Sequence, residues 1–136
     1  MATIREFGLN EGQFVDIDPV AGYGFTSEVT VKVLDAASGE VLSTIVLTRL
    51  RKDSTGNGGS IPFSFCSRKV IITARWVEPA FPKEKWISYT EEGMKFSARK
   101  DGGPGYEMHL GDFWHHKHWD NLHVYFRIGT AALPSL

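Results

Sequence analysis

Near the end of this 136-residue chain, Leu122, Val124, Phe126 and Ile128 alternate with His123, Tyr125 and Arg127. Apolar residues at every second position put all four on one face of an extended strand and the polar three on the other. Such a strand must cover its apolar face, and the rest of the chain offers more strands rather than helices. Val29, Val31 and Val33 alternate with Thr30 and Lys32, and residues 41–50 form a second β-branched run after the short turn 36–40, which makes a hairpin. Val70, Ile72, Ala74 and Trp76 share one face of residues 69–77. That strand must stop at Glu78-Pro79-Ala80-Phe81-Pro82, because proline cannot donate to a ladder. Ile61, Phe63 and Phe65 alternate as a further strand, residues 13–17 suit a short one, and residues 85–90 and 94–99 read as a hairpin around Glu91-Glu92-Gly93.

No window carries a helical stripe longer than about two turns. About seven to nine short strands, with turn signals roughly every ten residues, predict an all-β fold. The expected architecture is a single antiparallel β-sandwich over residues 1–136, of jelly-roll or immunoglobulin/C2-like topology.

Composition removes several function classes. Fifteen basic against sixteen acidic residues leave a net charge of −1, which argues against phosphate-backbone binding and hence against nucleic acid. The glycine-containing loop 51–60 is expected to be exposed and mobile, and it lacks the Gly-Lys-Ser/Thr of a phosphate-cradling loop. Cys66 is the only cysteine, so no intramolecular disulfide forms; its place at the end of Ile61-Pro62-Phe63-Ser64-Phe65 predicts a small buried side chain. No basic region followed by an apolar core marks a secretory signal, and no apolar run approaches the roughly eighteen residues of a membrane span. The default location is the cytoplasm, with secretion of a processed form as the alternative.

Function is expected around residues 111–121. All five histidines, His109, His115, His116, His118 and His123, fall within fifteen residues, beside Trp114 and Trp119. If this segment is extended, His116 and His118 project to one face and could share a zinc or iron ion, with His109, His123 or Asp120 as a third ligand. That would make a small metal-dependent enzyme. A cupin centre is not indicated: five residues separate Gly111 from His116, no glutamate follows His118 at the required place, and no second motif is left in the chain.

The favoured expectation needs no cofactor. Trp114, Trp119 and Tyr125, with Trp86 and Tyr106 as further candidates, offer flat faces for a sugar ring, while His116, His118 and Asp120 orient its hydroxyls. The chain is therefore expected to be a non-catalytic, lectin-like carbohydrate-binding domain with a small polar ligand or glycan as partner. Two alternatives are self-association through exposed strand edges and membrane-surface contact through aromatic loops around Phe81. Protonating five clustered histidines would also reverse the sign of the net charge, which makes the segment a candidate pH switch.

Overall fold

The computed structural model describes residues 3–78, 83–111 and 121–131. Within them the chain is a β-sandwich of two antiparallel five-stranded sheets, with no α-helix. The strands are β1 (Arg5–Leu9), β2 (Gln13–Ile17), β3 (Ser27–Asp35), β4 (Val41–Arg49), β5 (Gly59–Ile61), β6 (Arg68–Glu78), β7 (Lys85–Ser88), β8 (Met94–Ala98), β9 (Gly105–Leu110) and β10 (Leu122–Thr130). One sheet runs β1-β6-β3-β4, with β7 beside the later part of β6; the other runs β5-β2-β10-β9-β8. Among the described residues no helix is long and apolar enough to cross a membrane.

The alternation read from sequence sets the core. Val29, Val31 and Val33 of β3, Val70, Ile72, Ala74 and Trp76 of β6, and Leu122, Val124 and Phe126 of β10 are all buried. They meet Leu9, Val15, Leu47, Met108 and Leu110 between the sheets. Trp76 is a core anchor, stacked on Phe25 with ring centroids 5.1 Å apart. Tyr106 faces inward too, 5.0 Å from both the Phe7 and Phe96 rings.

Four expectations are corrected. The count is ten strands because β1 and β9 are additional to the runs anticipated from sequence. Residues 85–99 are not a hairpin: β7 pairs with β6 in one sheet, β8 pairs with β9 in the other, and a 3-10 turn at Glu91–Gly93 carries the chain across. Buried Tyr89 lies in that crossing. The run from Ile61 to Phe65 is not one strand either. Pro62 has no N–H to donate, so the ladder to β2 ends at the Ile61–Val15 pair. Phe63, Phe65 and Cys66 then lie exposed, which overturns a buried thiol.

The loop 51–60, expected to be exposed and mobile, is largely exposed and is tied down by hydrogen bonds. The Asn57 side chain accepts from the Thr48 N–H at 2.7 Å and donates to the Val46 carbonyl at 2.8 Å. One amide thus imitates a neighbouring strand along the outer edge of β4. Further along that edge a bulge opposite Val33 and Leu34 shifts the register. Both devices discourage another chain from pairing there.

Polar contacts pin the two ends of the sandwich. Arg49, 1% exposed, donates to the carbonyls of Leu50, Asp53, Phe25 and Asn121 at 2.8–3.2 Å. At the opposite end Arg68 donates to Pro62 and Gln13 carbonyls, each at 2.6 Å, and so joins β6 of one sheet to β2 of the other. Removing Arg49 would take a charged donor from four inward carbonyls; that of Leu50 still accepts from the Asp53 N–H and that of Phe25 from Ser27 Oγ, and each one that stays unsatisfied costs about 1–3 kcal/mol. Arg49→Met is expected to lower stability in urea unfolding by ~3 kcal/mol or more. Arg49→Lys should recover only part of this, because an ammonium has three donors on one atom. Asn57→Ala should keep the fold but show concentration-dependent association by light scattering.

Candidate functional site

The period-2 pattern that buries Leu122, Val124 and Phe126 turns His123, Tyr125 and Arg127 to the outer face of the second sheet. Register then assembles neighbours from other strands. His123 lies opposite His109, which lies opposite Lys95; Tyr125 lies opposite Glu107, which lies opposite Ser97. Asp16 of β2 lies opposite Arg127.

Glu107 occupies the middle of this face and yet is only 4% exposed. Its Oε1 is 3.1 Å from His109 Nε2, and its Oε2 accepts the Lys100 backbone N–H at 3.2 Å. Lys100 Nζ stands 3.9 Å from Oε1. Burial pushes the carboxyl pKa up, but the Lys100 N–H and His109 outweigh it, and the net shift is downward from the ordinary 4.5. Glu107 is therefore an ionised acceptor at neutral pH. An ionised carboxylate can only accept, so the neutral form of His109 that suits this contact has its proton on Nε2 and its lone pair on Nδ1.

His109 and His123 form a close cross-strand pair. The His123 N–H and carbonyl both bond Ala21, on the side away from β9. The pair is thus of the non-hydrogen-bonded kind, in which side chains approach most closely. Their ring centroids are 4.5 Å apart with planes at 58°. The Tyr125 ring meets His109 edge-on at 6.1 Å.

Beside Tyr125, Arg127 grips Asp18: Nε is 2.9 and 3.0 Å from the two carboxylate oxygens and Nη2 is 2.9 Å from one of them. The contact raises the guanidinium pKa and holds its plane in place. Asp101 is turned by the Gly103 N–H and by Arg99, both of which lower its pKa. Asp18, Lys100, Asp101, Glu107, His109, Tyr125 and Arg127 line a cavity of about 340 Å³. A second depression of about 370 Å³ continues over β8, lined by Lys95, Phe96, Ser97, Lys100 and His109. A larger hollow of about 430 Å³, bordered by residues 3–6 and Glu91, contains no aromatic ring and no buried polar side chain.

Of the residues expected to bind, Tyr125 is at this cavity. Trp114, His116, His118, Trp119 and Asp120 lie outside the described residues. The chain leaves and re-enters the sheet at one point, since the Asn121 N–H bonds the Leu110 carbonyl at 3.0 Å. Two aromatic candidates are corrected. Tyr106 packs in the core, and Trp86 sits on the other sheet beneath Arg75, 4.0 Å from the ring centroid. Among the described residues no three His, Cys, Asp or Glu side chains converge as a metal-binding group.

Glu107, Asp18, Arg127, Lys100 and Asp101 were not anticipated from sequence. The available signal was the alternation of Tyr106, Met108 and Leu110 with Glu107 and His109, which marks β9 as a strand with Glu107 outward. Comparison with family models, with curated proteins and with solved structures finds no match to this chain.

Linkage at Glu107 has a definite sign. Its lowered pKa means that its contribution to stability is complete above the unfolded value near 4.5 and is lost as pH falls through the folded value. Glu107→Gln should therefore be less stable than the parent at pH 7, and the difference should shrink below pH ~4. Urea midpoints of the two proteins across this range test it.

Proposed function

We propose that this chain is a non-catalytic binding domain for a small polar ligand of saccharide type, held on the outer face of the second sheet. The observation that carries it is the Glu107 carboxylate, buried and fixed at the floor of a cavity beside Tyr125. A sugar presents apolar C–H faces and hydroxyls that both donate and accept. The Tyr125 ring can cover a C–H face, Glu107 and Asp101 can accept from hydroxyls, and Lys100 and Arg127 can donate to ring and hydroxyl oxygens. The cavity, about 340 Å³, is at the lower end of the range for small-ligand sites, enough for one or two rings.

The state of Glu107 supports binding over general-acid catalysis. Two donors hold it ionised, so it is no reservoir of a proton at neutral pH, whereas a general acid has its pKa raised toward the working pH. Trp114 and Trp119 belong to the chain between β9 and β10, outside the described residues.

A glycan array, followed by calorimetric titration with the best ligand, checks the assignment. Tyr125→Ala is expected to weaken binding at least tenfold, or about 1.4 kcal/mol. The bound oligosaccharide should be recovered uncleaved. A folded protein that retains no glycan, or a Tyr125→Ala variant that binds as well as the parent, would remove this reading.

A further inference from the structure

We propose that His109 and His123 form a two-imidazole binding site for a divalent transition-metal ion with tetragonal preference, copper(II) above all. The site shares Glu107 and His109 with the wall of the sugar cavity, and it differs from any ion at His116 and His118 because its two ligands come from facing strands.

Three features converge on it. The first is separation. A metal–nitrogen bond of about 2.0–2.1 Å places the ion roughly 3.2 Å from each imidazole centre. Two rings at 90° around one ion are then about 4.5 Å apart, while rings at the tetrahedral angle are about 5.2 Å apart. The observed centroid separation is 4.5 Å, with the planes inclined at 58°. That spacing suits neighbouring positions of a square-planar or tetragonal ion rather than two corners of a zinc tetrahedron.

The second feature is orientation. His109 donates Nε2–H to Glu107, an ionised and nearly buried carboxylate, and so offers Nδ1 as its lone-pair atom. A carboxylate behind the far nitrogen of a ligating histidine fixes its tautomer and raises its basicity.

The third is rigidity. Both histidines sit within paired strands. His123 is anchored on its other side through two backbone bonds to Ala21, and Leu110 and Leu122 next to the pair are buried. Little ordering is left to be done on binding, and water or a polar ligand group completes the metal's shell.

The test must separate this pair from the other three imidazoles. The full-length chain carrying His115→Ala, His116→Ala and His118→Ala is titrated with copper(II) by calorimetry and electron paramagnetic resonance. One equivalent should bind, with an axial signal and hyperfine structure from two nitrogen ligands. In this background His109→Ala and His123→Ala should each weaken binding at least tenfold, with circular dichroism unchanged. Glu107→Gln should weaken it about ten- to hundredfold, the usual effect of losing a carboxylate behind a ligand. Nickel(II) and zinc(II) should bind more weakly than copper(II), in keeping with the general affinity order. Loss of all copper binding in the triple variant, or unchanged binding on replacing both His109 and His123 in it, would overturn the proposal.

Discussion

The sandwich depends on a buried cation that binds carbonyls instead of a carboxylate. Arg49 faces inward at the end of β4, opposite Ser27, where the apolar layers run out. Burial lowers its pKa, an effect partly opposed by the field of Asp53 and Tyr89. Its two terminal nitrogens donate to the carbonyls of Leu50 and Asp53 in one loop, Phe25 before β3 and Asn121 before β10. Four dipoles aimed at one delocalised charge replace the water lost on burial. Arg49 also joins a wider polar layer: Ser27 Oγ contacts Tyr89 Oη at 2.9 Å, and Asn121 Nδ2 donates to Tyr89 Oη at 3.2 Å.

That layer bears on function through Asn121. The segment holding three histidines and two tryptophans returns to the sheet at this residue, which is fully buried and bonded to Arg49, Tyr89 and Leu110. Gly22 and Gly24 belong to the same device. A Cβ on Gly22 would stand 2.3 Å from the Asn121 carbonyl oxygen, and one on Gly24, whose φ is +99°, would stand 2.6 Å from its Oδ1. Only glycine lets the chain pass so close. The start of β10 is therefore held from both sides, and the positions of His123 and Tyr125 follow from it.

The outer face of the second sheet shows how a polar surface becomes a site. A carboxylate on an exposed face is ordinarily solvated, but Glu107 is covered by His109, Tyr125 and the chain at Lys100. Its charge is met by a backbone N–H, an imidazole and a nearby ammonium. This one group supports both functional assignments, as an acceptor for hydroxyls and as the prop behind His109.

Much of the fold was legible because strand alternation is local. Val29 to Val33, Val70 to Trp76 and Leu122 to Phe126 declare their buried faces within a few residues, and each is buried as expected. The sheet assignment of residues 85–99 was not legible: a short turn joins strands of one sheet or of two, and what lies on either side decides between them. The β9 strand was masked by the Gly-rich turn before it and the histidines after it. Of the site, sequence alone determined that His123, Tyr125 and Arg127 point away from the core. That they meet His109, Glu107 and Asp18 was decided by tertiary structure, since register between strands is set by packing of their other faces, and no local pattern encodes it.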